Sequence, residues 1–175
     1  MKSSHISAKK PASQEYQHII QPFAPVFDAH SRILILGSFP SVKSREGGFY
    51  YHHPQNRFWK VLATVLEVPV PGTIEEKKNM LLSHGIAIWD VIESCDIIGS
   101  SDSSIKNVIP ADLRQITEHA PIRQVCTNGG TAGRLYDKYC LSTTGLPATK
   151  LPSTSPANAA WSLKRLTEVW KREVT

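Results

Sequence analysis

Ile33-Leu34-Ile35-Leu36-Gly37-Ser38-Phe39-Pro40-Ser41 is an apolar run that feeds a Gly/Pro/Ser turn. Residues 32–36 read as a first strand, ended by Gly37. In open α/β sheets, ligands bind beyond the ends of such strands. Shortly downstream stands Gly48-Phe49-Tyr50-Tyr51-His52-His53-Pro54-Gln55-Asn56-Arg57-Phe58-Trp59, a dense cluster of aromatic, imidazole and amide side chains. Stacking planes beside hydrogen-bonding groups suit a pocket for a flat heterocycle.

Outward from this strand the chain alternates strands and helices. Residues 42–56 read as a loop. Phe58, Trp59, Leu62, Val65 and Leu66 recur at helical spacing, which predicts a helix from near Pro54. A second helix over 74–84 has Glu75 and Glu76 in its first turn, where the helix dipole favours anions, and Gly85 ends it. Residues 86–89 read as a short buried strand, 96–107 as a polar loop and 110–119 as a helix with Pro110 at its start. A third strand over 124–127 closes on Asn128-Gly129-Gly130, and a helix over 131–140 follows. Residues 148–151 make a fourth strand. Ser155 reads as the N-cap, and Pro156 as the first residue, of a last helix with Ala159, Leu163, Leu166 and Trp170 on its buried stripe. The alternation predicts one α/β domain over 19–175. Its centre is a short, mostly parallel sheet of about four strands, with helices on both faces. Residues 1–18 are expected to be a mobile basic arm.

The composition limits the function classes. The chain has 175 residues, 41% hydrophobic and 20% charged, which is ordinary for a globular protein. No apolar run is long enough to cross a membrane, and the polar start of the chain has no hydrophobic core for a secretion signal. Cys95, Cys126 and Cys140 do not make a paired framework, so reduced thiols and an intracellular setting are expected. The net charge is +5. Lys2, Lys9 and Lys10 against Glu15 place +2 of it in the first twenty residues and leave +3 on the body. That excess fits nucleic-acid binding without demanding it.

No metal or other cofactor is expected. His52 and His53 are adjacent and point apart, no cysteine pair has zinc spacing, and three cysteines without a fourth argue against an iron–sulfur cluster. The turn after the first strand lacks the second glycine of a nucleophile elbow, which argues against a serine acyl hydrolase. The topology gathers residues 37–41, 90–94, 128–130 and 152–158 at one rim of the sheet. Four turns distant in sequence therefore converge on one site.

Three pieces of that rim resemble the uracil-DNA glycosylase superfamily. They are Gly37-Ser-Phe-Pro-Ser41 with the segment 50–59, Gly85-Ile-Ala-Ile-Trp-Asp90 with residues 91–102, and Leu151-Pro-Ser-Thr-Ser-Pro-Ala-Asn158. The resemblance runs from about residue 20 to the C-terminus. It is closest to the branch that removes hypoxanthine from DNA, and the His-Pro-x-Asn-x-Phe-Trp portion also resembles the mismatch-specific uracil/thymine branch. It implies a monofunctional, metal-independent enzyme acting on DNA that holds a deaminated base, with hypoxanthine first and uracil second. A monomer is expected. The alternatives are a G/U or G/T mismatch-specific glycosylase and a non-catalytic DNA- or nucleobase-binding module of the same fold.

The resemblance also implies roles for residues. Relatives hold a water with Asn or Asp two residues after the first motif's glycine. Here that position is Phe39, which cannot hold water and is counted with the base-contacting residues instead. The catalytic role then falls to Asn56 or His53, and both stay open. Tyr51 aligns with the ring that stacks on the flipped base, and Asp90 with the residue that reads the base edge. Asp102 is a second carboxylate candidate. Ser38, Ser41, Lys43, Ser153, Thr154 and Ser155 are the candidate phosphate contacts. The third motif starts at Leu151 where several relatives have His or Asn, and Ser155 stands where relatives carry a leucine that wedges into the duplex.

Overall fold

The computed structural model of the protein describes residues 15–174. The expected arm over residues 1–18 falls largely outside them. Its last two residues, Gln17 and His18, belong instead to β1 (Gln17–Ile20), which pairs antiparallel with β4 (Ile92–Ile97). The boundary moves because main-chain pairing holds these residues, although their side chains are exposed.

The four expected strands form one parallel sheet. They are β2 (Ile33–Gly37), β3 (Ile86–Asp90), β6 (Gln124–Asn128) and β7 (Ala148–Leu151), in the order β3-β2-β6-β7. β2 is buried along its whole length, which is why it reads as an unbroken apolar run rather than an alternation. Each of its aliphatic side chains contributes roughly 1.5–3 kcal/mol relative to exposure. From β2 the chain passes to β3 on one side, then crosses to β6 on the other. The carboxyl end of β2 is thus the point at which the winding reverses, where open α/β sheets leave a crevice.

A second sheet was not legible in the sequence. β1, β4 and β5 (Lys106–Pro110) form a three-stranded antiparallel sheet in the order β1-β4-β5. A third of the expected polar loop over 96–107 is thus strand. The chain turns from the first sheet into the second at Val91, whose N–H donates to Gly37 O (2.9 Å) and whose carbonyl accepts from Ala111 N (2.8 Å). Phe39, Ile92, Cys95 and Ile97 make a small core between the sheets, separate from the main one.

The helices are α1 (Val42–Gly47), α2 (Phe58–Leu66), α3 (Ile74–Ser83), α4 (Arg114–Thr117), α5 (Gly130–Tyr139), α6 (Leu141–Thr144) and α7 (Leu163–Glu173). Three expectations shift. The loop over 42–56 contains α1, because Ser41 caps it by accepting from Ser44 N (3.1 Å). The helix expected over 110–119 shrinks to α4, because Pro110 pairs opposite Ile92 in the second sheet. The last helix begins at Leu163 with Ser162 as its N-cap, not at Ser155. The Arg57 guanidinium explains this shift. It donates to the carbonyls of Ser155 (3.1 Å), Asn158 (3.1 Å) and Trp161, oxygens that a helix would need for its own ladder.

Candidate active site

A cavity of about 530 Å³ opens beyond the carboxyl ends of β2, β3, β6 and β7. Its lining brings together Ser38, Phe39, Ser41, Tyr51, His53, Asn56, Asp90, Asp102, Ser153, Thr154 and Ser155. The convergence expected from topology is therefore present. Lys43 is the exception. It stands exposed on α1 and pairs with Glu46 at 3.7 Å, outside the cavity lining.

Asn56 follows Pro54 just ahead of α2. Its Oδ1 accepts two hydrogen bonds, from Phe58 N (2.9 Å) and from the Thr154 hydroxyl (2.9 Å). A backbone N–H can only donate, so the orientation of this amide is fixed. The oxygen is occupied, and Asn56 offers its NH2 group as a donor. A role in which Asn56 accepts a proton-bearing water at Oδ1 does not fit this arrangement; a donor role does.

Thr154, expected as a phosphate contact, has its hydroxyl hydrogen-bonded to Asn56. The residue is fully buried. Asn128, at the end of β6, clamps it twice: Asn128 Oδ1 accepts from Thr154 N (3.0 Å), and Asn128 Nδ2 donates to Thr154 Oγ1 (2.9 Å). The hydroxyl then donates onward to Asn56. A one-way chain of donors thus runs from β6 to the cavity. Ser41 is likewise committed, since its Oγ both caps α1 and donates to Ser44 Oγ (3.1 Å). Ser38 donates to Asp102 Oδ1 (3.0 Å), beside a carboxylate that repels phosphate. Ser153 and Ser155 accept from backbone N–H groups two residues on, at 3.1 and 3.2 Å, and keep their own hydroxyl protons for a partner.

His53 Nδ1 accepts from Gln55 N (3.0 Å), which leaves the proton of the neutral ring on Nε2. Like Asn56, it presents a donor. Asp90 and Asp102 bring carboxylate acceptors to the cavity. Asp90 ends β3 with only 3% of its surface exposed. Burial pushes its carboxyl up to about 7, opposed by a hydrogen bond from Gln21 and reinforced by Asp102. Asp102 is exposed as a residue, but desolvation at the cavity side raises its carboxyl, against the Ser38 hydrogen bond and the Arg134 charge.

Gln21 was not foreseen. It lies just past β1, and its Nε2 donates to Asp90 Oδ2 (2.8 Å), while its Oε1 accepts from Phe23 N (3.1 Å). No sequence motif marks it, because the contact joins residues 69 apart. Tyr51 stacks on Phe58 with ring centroids 4.0 Å apart and planes 17° apart. One face of the expected stacking ring is therefore already covered. Its φ of +51° is unusual for a bulky residue, and strain of this kind gathers at functional sites. Phe39 belongs to the small core between the sheets and reaches the cavity from there.

Gly37 permits the whole approach. A Cβ at this position would lie 2.5 Å from Asp90 Oδ1 and 3.0 Å from Tyr51 Oη. Gly37→Ala should displace the carboxylate and destabilise the protein by ~1–3 kcal/mol, as overpacking does. A thermal melt should show a loss of several degrees. A variant that melts with the wild type would mean that Asp90 moves aside freely.

The sequence profile described as "Uracil DNA glycosylase superfamily" matches residues 24–173. A protein of Methanosarcina acetivorans called hypoxanthine DNA glycosylase is 36% identical over 148 residues, covering 83% of this chain and 92% of its own. A protein of the same name from Methanosarcina barkeri is 32% identical over 152 residues, covering 86% and 94%. A solution NMR structure of a candidate uracil DNA glycosylase from Methanosarcina acetivorans superposes with a TM-score of 0.74 at 31% identity, over 90% of this chain and all of that one. On the profile match and these identities, the chain belongs to the uracil DNA glycosylase superfamily, and it is a DNA glycosylase.

Proposed function

We propose that the protein hydrolyses the N-glycosidic bond of a deaminated base in DNA, hypoxanthine first and uracil second. The observation that carries this is the division of labour in the cavity. Donors (Asn56 Nδ2 and His53 Nε2) stand on one side and the buried Asp90 carboxylate on another. Base release passes through a cation-like sugar while negative charge gathers on the departing base. Fixed donors aimed at that charge stabilise it. Asp90, when ionised, accepts from the N1–H of hypoxanthine and repels the bare N1 of adenine. The two Methanosarcina relatives named for hypoxanthine support the choice of base.

None of the described residues lining the cavity is a lysine, so an imine with the sugar has no amine to form it. The expected product is an abasic site in an uncut strand. Ser153 and Ser155 are proposed to hold the flanking phosphate. Among the described residues no helix is long and apolar enough to cross a membrane, and the three cysteines are free and buried.

The test uses end-labelled duplexes with one deoxyinosine or one deoxyuridine, incubated with protein and then treated with hot alkali. Multiple-turnover breakage at deoxyinosine, faster than at deoxyuridine, is the expected result. Breakage at uracil alone would keep the enzyme class and reject the base. Binding without breakage at either lesion would make the protein a recognition module.

A further inference from the structure

Arg57 holds the segment after β7 from two directions. Its N–H donates to Thr154 O (3.1 Å). Its guanidinium donates to the carbonyls of Ser155 and Asn158, both at 3.1 Å, and of Trp161. The three oxygens recur every third residue because the segment runs through two successive turns. Asn158 N closes the first on Ser155 O (3.0 Å), and Trp161 N closes the second on Asn158 O (3.2 Å). A guanidinium carries five N–H donors in a fixed fork and no acceptor, so it can gather several carbonyls at once. Asn158 adds a tie of its own, with Nδ2 donating to Ser153 O (3.0 Å). Among the described residues no carboxylate stands within ion-pair distance of Arg57, so its guanidinium is committed to the loop and not to a counter-charge.

That loop separates two hollows. Ser153, Ser155 and Ala157 line the base cavity on one side and, with Asn158 and Trp161, an open concavity of about 700 Å³ on the other. Residues 155–161 belong to no strand or helix. Their sequence even favours a different shape, since Ser155 followed by Pro156 is a helix start. We propose that Arg57 is a positioning residue for DNA engagement: its guanidinium holds residues 155–161 as a preformed wall beside the base cavity, so that the strand delivering the flipped nucleotide meets a loop already ordered. The proposal rests on the glycosylase reading above. Asn56 and Arg57 are adjacent and divide the work, the first lining the cavity and the second bonding the loop. Without the guanidinium, three carbonyls lose their shared donor, and the loop has to be ordered at the moment of binding. That cost weakens binding without altering the groups that act on the base. Arg57 makes no phosphate contact itself, because Nη1 and Nη2 are both engaged by loop carbonyls.

The experiment follows single-turnover excision from a deoxyinosine duplex against protein concentration, which separates the half-saturating concentration from the maximal rate. Fluorescence anisotropy on the same duplex gives the dissociation constant over a range of salt. Arg57→Gln should raise both concentrations by about tenfold or more, while the maximal rate falls by less than about threefold. The slope of log affinity against log salt should match the wild type, whereas loss of a direct phosphate contact lowers it by about one. Loss of structure alone would lower the maximal rate and the melting temperature together. Asn158→Ala loosens the same loop from its own side, without touching α2, and should show the same pattern in milder form. It decides the matter if Arg57→Gln fails to fold. Wild-type affinity in the folded variant, a salt slope lowered by about one, or a maximal rate that falls as far as in Asn56→Ala would each overturn the proposal. A wild type that binds the duplex and excises neither deoxyinosine nor deoxyuridine would overturn the glycosylase reading instead, and the anisotropy series would still decide whether Arg57 orders the loop for DNA.

Discussion

Asn56→Ala should abolish most of the excision of deoxyinosine, with a fall in kcat of ~10²–10³, the loss typical of one donor aimed at developing negative charge. The alanine variant alone is ambiguous. Asn56 Oδ1 also accepts from Phe58 N at the start of α2, so alanine removes a cap-like bond of about 0.5–2 kcal/mol as well. Asn56→Asp separates the two roles. It keeps an acceptor for Phe58 N and for the Thr154 hydroxyl, and it exchanges the NH2 donor for a second oxygen. The expected result is a protein that melts near the wild type and is as inactive as Asn56→Ala. An active Asn56→Asp would show that the position activates water as an acceptor, and the donor assignment would fall.

Asp90→Asn should stabilise the protein at alkaline pH while removing its activity. The Asp90 carboxyl moves from 3.8 to about 7, first through burial, with the nearby Asp102 adding and Gln21 opposing. The hydroxyls of Tyr50 and Tyr51, which also face it, are themselves pushed up by burial and stay uncharged. A carboxyl whose pKa is raised in the folded state holds its proton longer when folded than when unfolded. Its contribution to stability is therefore most favourable below pH 3.8 and falls as pH rises to about 7, beyond which the penalty is constant. At one pH unit per ~1.4 kcal/mol, the full penalty is roughly 4 kcal/mol. Melts at pH 5 and pH 8 should show the gain from Asp90→Asn growing with pH. In the wild type, excision should rise as pH passes through the neutral range and the carboxylate forms. A gain that is equal at both pH values would mean that Asp90 does not carry the titration.

The site tolerates this penalty because the cavity needs an ionisable group away from water. A carboxylate left in solvent would bind water more readily than a base edge. The same reasoning explains Gly37, which lets Asp90 Oδ1 and Tyr51 Oη approach across a position where a side chain would stand between them.

Much of the fold was legible because it is written in local pattern. The run 33–36, the strand at 148–151 and the helix stripe from Phe58 announce themselves by periodicity and by turn residues, and each lies where expected or within a few residues. The antiparallel sheet was not legible. β4 and β5 pair with register shifts at Ile92/Ser94 and Ser94/Asp96, so neither shows a clean alternation. The late start of α7 was hidden as well, because it depends on Arg57, roughly a hundred residues upstream.

For the site, the amino-acid sequence by itself determined which chemical groups reach the rim: an amide and an imidazole after the first strand, a carboxylate after β3, and hydroxyls after β7. Parallel topology alone carries those ends to one edge, and local patterning encodes the topology. Only the tertiary structure decided what each group can do there. Whether Asn56 donates or accepts depends on Thr154 and Asn128, and which oxygen of Asp90 is free depends on Gln21. A side chain's hydrogen-bonding capacity is finite, and partners far away in the chain use part of it up.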